Sequence, residues 1–428
     1  MTGTSANVIA RRRYNQPPCT TRAIHTRAAI KPMKRIRSKS PLRLSKDAER
    51  LIAMSTAAAS SGSRIEDRYW QAHIETLASA LMDRSNDTVI EAALDQTHQM
   101  NSPAHEILAS SCEASAESCF FDVDADNSVR QAQLISIPLI AWSKYRIPSG
   151  VVEEKVLAPI RAHLHGHVLG ADVQLCLSNF LYSIDQLPRG FSDTRKLTKK
   201  LADAAVNGDM PKMDFAKLGD TAELPADVRF LIGVVVAPRG APLFQWQELD
   251  SHINRTECLT RWIEQCRPSL AQLVPGCAFE SGLPDAFFHN CRECDLRVRP
   301  YMLSSAVTIV ETALKTVPGQ LSAVIAGVGE TAVDEYRVSI TRHGHNDVLH
   351  GMVWPLYGAE DDDANPGPRE QIEALLKEHK IAEVTRIPGI LPPEYCEDCG
   401  APLFFDHEGE AMHAEMPEDS EQPASHYH

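Results

Sequence analysis

One order of elements is written twice along this chain, and that recurrence constrains its fold more than any single motif. From Cys119, "CFFDVDADNSVRQAQLISIPLIAW" alternates apolar and polar residues around turn formers, so it predicts a strand pair turning near Asp126-Asn127. A helix follows in "VVEEKVLAPIRAHLHGH", then a strand in "DVQLCLSNFLYSI", then Leu187-Pro188 and a helix from a Ser192 cap. Far downstream, "EYRVSITRHGHNDVLHGMVWPLYG" is again a strand pair. It leads into helix "PREQIEALLKEH", strand "AEVTRIPGI" and Leu391-Pro392. The middle carries a looser copy, from "RFLIGVVVAPRGAPLFQW" through helix "TECLTRWIEQC" and strand "GCAFESG" to Leu283-Pro284 and helix "PYMLSSAVTIVETAL". Pro138-Leu139, Pro242-Leu243 and Pro355-Leu356 recur 104 and 113 residues apart. The competing account is that proline recurs at strand ends because it is tolerated there.

Ahead of these units, residues 45–118 predict helices. Ser63-Arg-Ile-Glu66 has the spacing of a capping box, and Ser102-Pro103 places a cap before a first-turn proline. The expected fold class is therefore mixed α/β (α+β). A helical segment precedes α/β units at 119–220, 221–318 (the weak repeat) and 319–415, the last with a zinc-knuckle-like end. Residues 1–44 and 416–428 are expected to be a basic disordered arm and a disordered tail, and "GAEDDDANPGPRE" (358–370) a surface loop.

Charge narrows the partners. The net charge of −14 conceals an N-terminal stretch, residues 1–50, with thirteen Lys/Arg against two acids, and a remainder at −25. An acidic body disfavours nucleic acid and anionic lipid, since phosphate binding needs clustered cations, so any such contact falls to residues 1–46. The arm lacks the apolar core of a secretory signal, though its Arg, Ser and Thr also suit an organellar presequence. No apolar run approaches the roughly 18 residues of a membrane helix. Eleven scattered cysteines, an odd number, indicate a reducing compartment rather than a disulfide scaffold.

The chemistry-bearing residues gather at the end of the third unit, in "LPPEYCEDCGAPLFFDHEGEAMHAE" (391–415). Cys396 and Cys399, two residues apart with Gly400 behind them, suit a zinc knuckle, because paired thiolates grip one tetrahedral ion across a tight turn. His413 is first in line as third ligand, with His407, Glu415, or Cys291 together with Cys294 as further ligands. "GLPDAFFHNCREC" ends in Cys291-x-x-Cys294 at the equivalent place in the second unit, so a pseudo-twofold packing would bring four cysteines to one zinc. A redox role for Cys396-x-x-Cys399 is weaker, since Gly-Ala-Pro stops a helix after it and Glu397 and Asp398 would raise the thiol pKa. His163, His165 and His167, and His343, His345 and His350, need no metal to explain them. Arg189 and Arg299 precede helices expected after the second strands, where a helix N-terminus with arginine can hold an anion. Nucleotide loops, H-E-x-x-H, G-x-S-x-G and kinase motifs do not occur.

Taken together, "SPLRLSKDAERLIA", "SGSRIEDRYW", "IPLIAWSKYRIPSG", "FLYSIDQLPRGFSDTRKLT", "VDEYRVSITRHG", "VWPLYGAEDDDA" and "PPEYCEDCGAPLF…HAEMPED" resemble a bacterial family known only as a domain of unknown function, over about residues 33–419. The resemblance implies a cytoplasmic protein, a start near Met33, and firmer retention of Cys396, Cys399 and His413 than of Cys294 or His407. It implies no reaction. The expected function is that of a non-enzymatic interaction or regulatory protein with a protein partner and a structural zinc site. An enzyme with a cleft between α/β units, or a nucleic-acid- or ribosome-binding protein acting through the arm, are the alternatives.

Overall fold

The computed structural model describes residues 44–123, 128–209, 211, 213–219, 221, 224–249, 253–330, 332–357, 360 and 366–417. The basic arm, the turn at Asp126-Asn127, most of the 358–370 loop and the tail beyond Pro417 lie outside them. Four helices come first: α1 (Lys46–Ala59), α2 (Arg64–Asp83), α3 (Asp87–Met100) and α4 (Ser102–Glu117). Ser45 and Ser63 cap the first two, their hydroxyls accepting from the backbone N–H of Ala48 and of Glu66, both at 3.2 Å. The reciprocal half of the expected capping box is not made, because Glu66 instead accepts from the Trp70 indole one turn on. The start of α4 lies one residue earlier than the sequence suggests. Asn101 is its cap, accepting from Ala104 N at 3.1 Å, and Ser102 and Pro103 lie inside the first turn. Leu51, Ile74, Leu81, Ile90 and Leu108 bury the apolar stripes of these helices in one core.

The next stretch builds one sheet from two of the expected units. In chain order it comprises β1 (Ser118–Val123), β2 (Ser128–Trp142), β3 (Gly150–Val151), α5 (Glu154–His167), β4 (Gln174–Ser183), α6 (Phe191–Asn207), β5 (Ala226–Pro238), α7 (Arg255–Ala271), β6 (Ala278–Ser281), β7 (Asp285–Ala286) and α8 (Phe287–Leu314). The strand order is β1-β2-β5-β4-β3, and β1, β7 and β6 share the outer edge of β2 in series. β2 runs antiparallel to β5 from Arg130↔Pro238 to Trp142↔Ala226. Strands assigned to 119–220 and to 221–318 therefore interleave: β4 pairs with β5, and β6 with β2. Each half lends its second strand to the other. β5 is a single strand rather than a strand pair. Its run "FLIGVVVA" is buried on both faces, as a central strand flanked by helices requires.

Both faces are covered by helices. Leu157, Ile160 and Leu164 of α5 meet Trp262, Cys266 and Leu270 of α7 on one side; α6, α8 and the four-helix segment cover the other. The N-termini of α6 and α8 follow Gly190 and Ala286, whose side chains cannot cap, and the helical segment supplies the caps. Asp87 at the start of α3 accepts from Ser192 N at 3.1 Å and from the Ser192 hydroxyl. Glu117 at the end of α4 accepts from Phe288 N at 2.9 Å. Ser192, expected as a cap, is thus itself the capped residue. Burial pushes the Glu117 carboxyl up to about 7, against the lowering effect of that N–H.

α8 carries the fold onward. Its 28 residues extend about 42 Å at 1.5 Å per residue. Phe287, Cys291, Cys294 and Val298 lie in the first core, and Leu303, Val307 and Val310 in a second. Pro300 removes the N–H that would bond Leu296 O, and Arg299 Nε donates to that carbonyl instead at 3.2 Å. The second sheet is formed by β8 (Leu321–Val328), β9 (Glu335–Arg342), β10 (Val348–Pro355) and β11 (Glu383–Leu391), in the order β10-β9-β8-β11. The expected strand pair β9–β10 is antiparallel, while β11, reached through α9 (Pro368–Glu378), runs parallel to β8. Ile372 and Leu376 of α9 join α8 on one face. A ribbon of β12 (Phe404–Phe405) and β13 (Ala411–Met412) lies over the other.

Gly351 in β10 marks how closely the ribbon approaches, since a Cβ there would enter the Phe404 ring. Gly351→Ala is expected to cost about 1–3 kcal/mol through overpacking, read as a fall in the urea midpoint. An unchanged midpoint would show that the ring has room to yield. Among the described residues no helix is long and apolar enough to cross a membrane.

Candidate metal centre at the C-terminus

The polar face of β9 positions the site. In "EYRVSITR" the apolar residues Tyr336, Val338 and Ile340 enter the core, and the alternating Arg337, Ser339 and Thr341 point the other way. That face is not solvated: all three polar residues are buried, because the chain from Glu394 to His407 lies across them. Arg337 donates to the carbonyls of Glu394 at 2.6 Å and Leu403 at 2.5 Å, with Glu335 as its carboxylate partner and the Tyr395 ring 5.1 Å away. Ser339 donates to Phe405 O at 2.6 Å, and Thr341 meets His407 Nε2 at 3.1 Å.

Between the two carbonyls held by Arg337 the chain makes a narrow loop. Leu403 N donates to Glu394 O and Cys396 N to Ala401 O, and Gly400 N closes the turn onto Cys396 O at 2.9 Å. Gly400 has φ +71°, the left-handed conformation that glycine adopts without penalty. This geometry aims the N–H groups of Cys399 and Asp398 at the Cys396 sulfur. With the Cys399 side chain, they hold its thiol below the ordinary range, outweighing the upward push of the Asp398 charge. The Asp398 charge does push this pKa up, as expected, but the two aimed amides act more strongly.

His413, just after β13, completes the group. Its Nε2 stands 3.3 Å from Cys399 Sγ, and one donor atom from each of Cys396, Cys399 and His413 lies within 4.8 Å of the others. Three such donors could hold a metal ion. Tetrahedral coordination to sulfur and nitrogen needs donor separations of roughly 3.5–3.8 Å, within reach of small side-chain adjustments. On the other side of the imidazole a Glu415 carboxylate oxygen lies 3.3 Å from Nδ1, short of hydrogen-bond alignment, and Glu415 N donates to Val348 O. A carboxylate that hydrogen-bonds a ligating histidine fixes its ring and raises its basicity, and Glu415 lies where a small side-chain adjustment would place it behind His413. Glu415→Gln is expected to weaken metal affinity about 10–100-fold in a chelator competition, leaving the stoichiometry unchanged. Equal affinities would remove that role.

The other sequence candidates lie elsewhere. His407 is bonded through both ring nitrogens, Nδ1 to the Thr385 hydroxyl at 2.9 Å and Nε2 to that of Thr341, so it joins β11 to β9 across the sheet. Cys291 and Cys294 are buried on α8 in the core of the first sheet, away from the ribbon. The third unit has a sheet of its own, and among the described residues these thiols do not join the Cys396, Cys399 and His413 group. Arg299 is interior to α8, not ahead of a helix. It is buried and paired with Glu360 through two hydrogen bonds, at 3.0 and 2.8 Å, with a further bond to Pro355 O at 2.8 Å. Arg189 is exposed beside the start of α6, where Asp87 already places a negative charge. The rings of His163 and His167 stack, and burial pushes His350 down to about 4.

Arg337, which holds the loop, carries little local signal of that role in the sequence. An arginine amid a strand's polar face is its signal, and only the covering segment explains it. No curated protein and no solved structure matches this chain. Residues 36–427, nearly its whole length, match the family described as protein of unknown function DUF2863. The chain that builds this interleaved sheet and this Cys-Cys-His group belongs to the DUF2863 family.

Proposed function

We propose that this protein is a non-enzymatic interaction or regulatory protein acting on a protein partner, and that Cys396, Cys399 and His413 hold a structural zinc ion. The observation that carries the metal reading is the convergence of donors from two separate segments, the 394–403 loop and the strand end at His413. Both lie on the second sheet, and one ion would fasten them together. Two sulfurs and an imidazole are a donor set that suits zinc over the hard cations.

The charged groups of the interior favour a non-enzymatic role. Arg229 is held by Asp227 and by the carbonyls of Ile147, Pro148 and Val228, and Arg299 and Arg337 likewise by a carboxylate and backbone carbonyls. Asp87 and Glu117 occupy the helix N-termini at which an anionic substrate would otherwise dock. Groups so engaged serve the fold. Protein purified without chelator is expected to contain about one zinc per chain by elemental analysis. Metal-free protein with both surface thiols titrating freely would refute the metal reading.

A further inference from the structure

We infer that the zinc ion of this centre keeps an exchangeable fourth position, facing solvent, that takes a neutral nitrogen donor, the imidazole of a protein partner being the chemical class it fits. The inference rests on the metal reading above and goes beyond it, because a purely structural site is closed by four ligands from its own chain.

Three observations lead here. Among the described residues no fourth His, Cys, Asp or Glu joins the Cys396, Cys399 and His413 group, and its nearest neighbours of ligating type have other work. His407 uses both nitrogens on Thr341 and Thr385, Asp406 accepts from the N–H groups of Glu408 and Glu410, and Glu415 faces the far nitrogen of His413. The three donors also sit at the surface: Cys399 is exposed, and Cys396 and His413 are half-buried. Arg337 holds the loop from the side of the sheet, and the exposure of Cys399 puts the group at the solvent boundary. The third observation is charge. Two thiolates neutralise a divalent ion, and Glu397, Asp398 and Glu415 surround the site with carboxylates. An anionic fourth ligand would add charge of the same sign as its neighbours, whereas water or an imidazole adds none. Water fills the position when the protein is alone, and a partner histidine displaces it.

The test uses the full chain with Co²⁺ in place of zinc, titrated with imidazole and separately with acetate. The cobalt spectrum should show thiolate charge-transfer bands. Imidazole should shift its ligand-field bands saturably, and acetate should do so at least about tenfold more weakly, the difference of about 1.4 kcal/mol expected of a charge penalty. The same titration on His426→Ala/His428→Ala separates a partner's position from one filled by the chain. An imidazole response confined to that variant, or thiolate bands with no response in either protein, overturns the open position while leaving the metal site standing. Acetate acting as well as imidazole overturns the preference for a neutral donor. Absence of thiolate bands refutes the metal reading, and this inference with it.

Discussion

Cys399→Ser is expected to empty the metal centre and to loosen the C-terminal segment without unfolding the molecule. Serine keeps the size of cysteine but offers no thiolate, so the ion would lose one of the three donors that converge there. In isolated zinc-finger peptides the metal supplies about 10–16 kcal/mol and the whole fold depends on it. Here much of the segment is held independently, by Arg337 on Glu394 and Leu403, Ser339 on Phe405, and the burial of Phe404 and Phe405. The loss should therefore be local. Amide exchange over 395–402 and 411–415 should accelerate about a hundredfold, equivalent to about 3 kcal/mol of opening, while the amides of α5 and α7 stay protected. Chelator added to the wild-type protein should reproduce the pattern. Exchange that is the same with and without chelator would show that no metal contributes to this end of the protein.

The second large effect is expected at Arg337. Arg337→Met fills most of the same volume, but it removes the buried guanidinium that now holds the carbonyls of Glu394 and Leu403 at 2.6 and 2.5 Å, leaving Glu394 O only the N–H of Leu403. It also leaves Glu335 without its partner. Removing one member of a buried charged network costs about 3–5 kcal/mol, because the groups left behind are desolvated and unpaired. The urea midpoint should fall accordingly, and metal affinity should fall with it, since the two carbonyls bracket the Cys396–Cys399 loop. Arg337→Lys should recover only part of either, because one ammonium cannot reproduce the fork of the guanidinium. A loss under about 1 kcal/mol with unchanged metal affinity would mean that the loop holds its shape unaided.

Much of the second sheet was legible from residue order. The strand pair at Glu335–Pro355, the helix at Pro368 and the strand at Glu383 each announce themselves by periodicity, since alternation and helical spacing are local consequences of which face is buried. The Cys-x-x-Cys-Gly turn was legible for the same reason: its amide and sulfur geometry is set within six residues. His413 was nameable as a candidate only because histidine is a ligand type at a plausible remove, and the hairpin between decides where it stands.

Other features depend on distant partners. The trans caps Asp87 and Glu117 hold helix amides 105 and 171 residues further along, and a carboxylate in one helix carries no mark of the N–H it will meet. The buried polar face of β9 looks solvent-exposed in sequence, because alternation reports that two faces differ and not what covers the second. The interleaving of β2, β4, β5 and β6 is likewise a choice among pairings that the strand patterns all permit.

By itself, then, the sequence determined a mixed α/β chain with a helical beginning and a thiol-bearing turn at its end, since these follow from hydrophobic period, capping residues and backbone preference. Only the tertiary structure decided that strands from two of the expected units share one sheet, that Cys291 and Cys294 belong to its core, and that His413 rather than His407 joins the thiols. Register, burial and ligand geometry arise from contacts between residues far apart in the chain, and those contacts form only once the sheets have packed.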